Sequence, residues 1–192
     1  MSLHRSAGLI MVRDRSFAQL AAAIDSHFRF WGFVRHSGDQ NQLAAMHPAE
    51  RREFIGVEAG VWVGVRVEHL TDLFELGYSL SKHWPDHLVF ASRLYSYGLW
   101  EFKAYLDRDL QFKVGDDPDH ELPWVGRPLD AERKIHVQKH LPGPIWSDFL
   151  DKVIDDSVVP NDLLRSLKVD PSLAFSAAYK TASERYIAWY RR

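Results

Sequence analysis

The stretch FIGVEAGVWVGVRV, residues 54–67, limits the fold more than any other part of the chain. Its second arm sets Val61, Val63, Val65 and Val67 on one side and Trp62, Gly64 and Arg66 on the other. A period of two with β-branched residues on one side specifies a strand with one buried face. Between the arms, Glu58-Ala59-Gly60 predicts a three-residue hairpin loop, with Gly60 in the left-handed position. A hairpin of this kind is not stable alone. It needs further strands beside it and a second layer over its valines.

The flanking sequence offers both. Residues 7–12 (AGLIMV) read as a first strand. Ser16 with Gln19 three residues later has capping-box spacing, and Phe17, Leu20, Ile24, Phe28 and Trp31 then recur at helical intervals up to Gly32, a natural stop. Residues 35–52 are polar and irregular, apart from a short helical turn at 48–51. A second helix is expected over 71–83, with Leu73, Leu76, Leu80 and Trp84 on one stripe and Pro85 ending it. Residues 87–95 are apolar on both faces, as in a central strand. Residues 99–106 alternate Trp100, Phe102, Ala104 and Leu106 against Glu101, Lys103 and Tyr105, and 110–114 continue the meander after Asp107-Arg108-Asp109. Beyond a Gly/Asp/Pro-rich loop at 115–130 the pattern turns helical, with segments at 130–140, 144–156 and 161–168. Asp170-Pro171 opens a last helix that carries Phe175, Tyr179, Ala182, Tyr186 and Trp189 on one face.

This order predicts an α+β fold: a mostly antiparallel sheet with two helices on one face, in split-βαβ, ferredoxin-like order, plus a C-terminal helical extension. The expected division is a sheet core over 1–114, a loop over 115–130 and a helical extension over 131–192 packed on the core. At 192 residues the whole reads as a single domain.

Composition narrows the partners. With 24 basic and 26 acidic residues the net charge is -2, so the chain lacks the basic field of a general nucleic-acid binder. The absence of cysteine excludes a disulfide framework, a thiolate zinc site and a cysteine nucleophile. The first apolar run stops at Arg13, short of a signal peptide, and no run approaches the roughly 20 residues of a membrane span. A soluble, cytoplasmic protein without a membrane partner is expected. The sequence contains no GxxxxGK[ST], no GxGxxG after a strand, no GxSxG, no HExxH and no EF-hand loop, and so calls for no cofactor.

Two groups of residues stand out. Trp62, Arg66, Glu101, Lys103 and Tyr105 are expected to project from one open sheet face. Trp62 sits between Gly60 and Gly64, and glycines there would admit another backbone or a flat ligand. Aromatic and arginine side chains are the usual anchors of interfaces. The plainer alternative is that later helices cover this face and bury Trp62. The second group, Asp116, Asp117, Asp119, His120 and Glu121, offers carboxylates and an imidazole to a hard cation. Asp and Pro are equally the residues of a solvated turn, so no metal site is assigned there. His136 and His140 share a helical face but lack a third ligand fixed by spacing.

Three functions stay open. The leading one is a binding or protein-interaction domain without catalytic activity, its partner an unidentified protein or small molecule. The second is a small enzyme with a dispersed site, with His120 and Asp116, Asp117 or Asp119 in metal-assisted or acid–base chemistry. The third is nucleic-acid binding on an open sheet face, which the charge disfavours. Homo-oligomerisation is left open.

Overall fold

A computed structural model describes residues 7–37, 40–68, 73–94, 100–115, 164–165, 167–170 and 186–191. Strand β1 (Ala7–Arg13) leads into helix α1 (Phe17–Phe30) and a short strand β2 (Phe33–Arg35). Helix α2 (Gln40–Ala44) and a 3-10 turn at Pro48–Glu50 precede β3 (Arg51–Ala59) and β4 (Trp62–Glu68). Helix α3 (Leu73–His83) is followed by β5 (Val89–Leu94), β6 (Trp100–Leu106), β7 (Asp109–Gly115) and, from the end of the chain, β8 (Tyr186–Arg191).

Local chemistry sets several of these limits. At the start of α1 the Gln19 amide donates to Ser16 Oγ (3.3 Å), and the Ser16 amide donates to Gln19 Oε1 (3.0 Å), which closes the expected capping box. The helix stops where Trp31 N–H and Gly32 N–H fold back on the carbonyls of Phe28 and Arg29, with Gly32 at φ 78°. The β3–β4 turn is shorter than expected: Glu58 and Ala59 belong to β3, Ala59 pairs with Trp62, and only Gly60 (φ 62°) and Val61 form the turn, which leaves Val61 exposed rather than on the buried valine face.

The strands form one eight-stranded sheet in the order β2-β8-β3-β4-β1-β5-β6-β7. Each neighbouring pair is antiparallel. The fold is therefore α+β with a mostly antiparallel sheet. No helix among the described residues is long and apolar enough to cross a membrane.

Register divides the side chains between two faces. Ile10 lies opposite Val65 and Ala91, and with Val12, Val63, Val67 and Val89 it forms the first face. The apolar stripes of α1 (Leu20, Ile24, Phe28) and α3 (Leu73, Leu76, Leu80) pack there in a continuous core. Phe28 holds one end of that core, with ring centroids 5.6 Å from Phe33, 5.5 Å from Phe54 and 5.2 Å from Trp189. The second face is formed by Leu9, Met11, Val57, Phe90, Phe102, Ala104 and Leu106, and these are also buried. Leu164, Leu167 and Val169 are buried as well.

Besides the shorter hairpin turn, three expectations change. The end of the predicted last helix is β8, which puts Tyr186 and Trp189 in a strand between β2 and β3. YIAWYR is rich in aromatic and β-branched residues, and paired on both sides it alternates Ile187 and Trp189 against Ala188 and Tyr190. The sheet thus takes a strand from beyond residue 131. A short strand, β2, also forms where an irregular segment was expected to begin. Trp31 is the C-terminal cap of α1 rather than part of its buried stripe. Of the other C-terminal helices, Leu164–Arg165 is helical. Segments 130–140 and 144–156, and Phe175, Tyr179 and Ala182, lie outside the described residues.

Gly64 yields a direct test. A Cβ built at this position runs into Met11 Sδ and the carbonyl oxygen of Ile10 on the neighbouring strand. The turn residue Gly60 has open space around it and only its positive φ to lose. Gly64→Ala is expected to cost about 3 kcal/mol in urea unfolding, because the obstacle includes backbone. Gly60→Ala is expected to cost about 1 kcal/mol.

Candidate functional site

The five residues expected on one open face are divided between two covered ones. Trp62 (2% exposed) and Arg66 (4% exposed) lie on the second face, beside Leu9, Met11 and Ile55. The Trp62 indole N–H donates to the Leu167 carbonyl at 3.0 Å, and its ring meets Phe90 edge-on at 5.1 Å. Phe90 in turn stacks on Phe102 at 5.2 Å. The backbone that comes close at Gly64 is that of β1 itself, so the glycine serves sheet packing rather than admitting a ligand.

Glu101, Lys103 and Tyr105 point the other way, towards α3. Lys103 stands opposite Ala91, which fixes it to the first face. Its Nζ lies 3.0 Å from Glu101 Oε1 and 4.0 Å from the centroid of the Phe74 ring. The Tyr105 ring packs 6.1 Å from Tyr78, over Gly77, where an added Cβ would come within 3.1 Å of it. Burial and then the Glu101 carboxylate push the Tyr105 hydroxyl well above the usual tyrosine range. Alternation along β6 separates its two sets correctly. It carries no mark of which set meets the helices, and the expected assignment was the reverse of the observed one.

Asp116, Asp117, Asp119, His120 and Glu121 lie outside the described residues, as do His136 and His140. Among the described residues no group of three or more His, Asp or Glu side chains is placed to hold a metal. His87 has a structural role. Its Nδ1 sits 3.1 Å from the Arg13 carbonyl, and its Nε2 meets the Arg15 guanidinium. With Nδ1 donating to the carbonyl and Nε2 accepting from the guanidinium, the ring satisfies both partners and pins the loop after α3 to the end of β1.

A different cluster emerges at the β2 edge. Phe30 is 82% exposed and Trp31 45%, with ring centroids 5.4 Å apart. Arg29, 72% exposed along its side chain, pairs with Asp25 at 2.8 Å. The other oxygen of that carboxylate accepts the Trp189 indole N–H at 2.8 Å, which ties α1 to β8. The guanidiniums of Arg52 and Arg191 lie 4.9 Å and 5.3 Å from the Phe33 ring centroid. Arg191 also donates to the Trp31 carbonyl (3.3 Å), and Arg35 is exposed on the same edge. An arginine-rich, aromatic corner has thus formed on a chain of slightly negative net charge. One signal for it was present in the sequence: Phe30 is two residues from Phe28 and therefore off the buried stripe of α1. The arginines come from four separate elements, which only the fold assembles.

No protein-family model matches the chain, and no curated protein and no solved structure is similar to it.

Two measurements follow from this geometry. Trp62→Phe keeps an aromatic ring but removes the indole N–H and its five-membered ring, which leaves the Leu167 carbonyl without its donor. It is expected to lower the unfolding free energy by about 1–3 kcal/mol in urea titration. The second concerns alkali. Tyr105 stays protonated in the folded state above pH 10, where unfolded tyrosines ionise. The unfolded chain then binds fewer protons, so stability falls as pH rises, by up to about 1.4 kcal/mol per pH unit for this group. Tyr105→Phe is expected to flatten the stability-versus-pH curve above pH 10, and an unchanged slope would contradict the assignment.

Proposed function

We propose that the chain is a binding or protein-interaction domain without chemistry of its own, and that it acts through the corner formed by Arg29, Phe30, Trp31, Arg35 and Arg191. The observation that carries this reading is the placing of the large aromatics. Trp62, Phe90, Phe102, Phe54 and Trp189 are consumed in the two cores, whereas Phe30 and Trp31 stand together in solvent. A large exposed apolar patch ringed by polar groups marks an interaction site. Trp and Arg are the residue types that most often dominate binding energy. The two sheet faces offer less, because most of their described apolar side chains are already packed.

The same reading takes β1, α1, β3, β4, α3 and β5 as a split-βαβ, ferredoxin-like unit. Its support is the strand order β3-β4-β1-β5, in which each helix links strands separated by one neighbour. β6 and β7 extend this unit on one side and β8 and β2 on the other, so the corner belongs to the added strands.

The test pairs stability with association. Wild type and the Phe30→Ser/Trp31→Ser double variant are compared as baits, captured partners are identified, and the leading one is purified and reconstituted with each. The variant is expected to unfold within about 1 kcal/mol of wild type, since it alters exposed positions. It is expected to bind the purified partner about tenfold or more weakly, as loss of two interface aromatics implies. Equal affinity for both forms would refute the corner as the contact surface.

A further inference from the structure

The corner lies beside a strand edge, and this indicates what it receives. In β2, Phe33, Val34 and Arg35 stand opposite Arg191, Tyr190 and Trp189. Just past the strand, the His36 amide donates to the Ala188 carbonyl at 2.8 Å. In an antiparallel pair, main-chain groups face the partner strand at every second residue. Val34 and His36 therefore spend their N–H and C=O groups on β8, and Phe33 and Arg35 direct theirs away from it. Among the described residues no strand pairs with that outer side.

We infer that this edge takes up an extended, acidic segment of a partner protein, added as a ninth strand beside β2. The inference rests on the reading of the corner as an interaction surface. The main-chain groups of Arg35, an exposed residue, and of Phe33, a residue only 5% exposed, supply a short ladder, the mode by which strand edges accept peptides. Three residues are too few for the ladder to supply the affinity, so side chains must contribute. Phe30 and Trp31 offer apolar area immediately before the strand. The exposed arginines Arg35 and Arg191 select carboxylates, with which arginine pairs in bidentate fashion, while Arg29 is already paired with Asp25. Single-stranded nucleic acid also combines aromatics with arginine, but it makes no use of a strand edge. The overall charge of -2 gives such a polyanion no long-range attraction.

The experiment measures fluorescence anisotropy of labelled probes with the full chain. The probes are a short peptide alternating Glu with Val, the same peptide with Lys for Glu, the Glu peptide with alternate amides N-methylated, and oligo-dT. The Glu peptide is expected to bind, with the Lys and N-methylated peptides at least about tenfold weaker, a difference well resolved in Kd. Arg35→Glu is expected to weaken the Glu peptide to the same degree, with Arg35→Lys intermediate and both variants folded by circular dichroism. Equal binding of the N-methylated peptide overturns strand addition. Tighter binding of oligo-dT than of the Glu peptide overturns the acidic-protein partner in favour of nucleic acid. If no peptide binds while a reconstituted partner still depends on Phe30 and Trp31, the inference fails and the interaction-domain reading stands.

Discussion

Four consecutive side chains of β1, Leu9 through Val12, have no exposure to solvent. Successive strand residues point to opposite faces, so this run demands a dry layer on each side of the sheet. Most of the fold answers that demand. α1 and α3 bring leucines, Ile24 and Phe28 to the side of Ile10 and Val12. On the side of Leu9 and Met11, the Trp62–Phe90–Phe102 row fills the face. The Trp62 bond to the Leu167 carbonyl then reaches a segment more than a hundred residues away. An indole suits that position because its N–H finds an acceptor while its ring stays in apolar contact.

Two glycines show how closely the layers approach. Gly64 lets Met11 lie across β4, and Gly77 lets α3 settle on Tyr105 and Ala91. Interiors packed to this density accept a methyl group only by moving something else. The charges inside are arranged with equal care. Lys103 reaches Glu101 while its stem and ammonium cover Phe74, so a buried carboxylate gains both a cation and a shield from water.

Much of this was legible in the sequence, and what was not has identifiable causes. The Ser16–Gln19 box, the glycine turn at Gly60, the helix stripes and the alternation of β4 and β6 are local signals, and local structure follows them. Face assignment is not local. The glutamate, lysine and tyrosine of β6 look like a wet face by composition. They are covered because Phe74 and Tyr78 of α3 provide ring faces for the ammonium and the phenol. Tyr186 and Trp189 are three apart, a spacing that suits a helix as well as a strand. The open slot between β2 and β3 decides between them, and that slot exists only once the sheet has formed. The candidate corner was the least legible feature, since its arginines come from α1, β2, β3 and β8.

A sheet whose central strands are dry on both faces has few places left for function there. Its faces are spent on stability, and any exchange there would cost packed area on two layers. What remains are the rims: loops, helix ends and outer strands. Natural edges are usually short or charged, which limits unwanted pairing. β2 is both, with three residues and an exposed arginine. Such an edge discriminates by charge. A neutral or basic segment meets guanidiniums held in place by Phe33 and by the Trp31 carbonyl, whereas an acidic one neutralises them. The arginine that protects the edge from indiscriminate pairing therefore also selects what pairs with it.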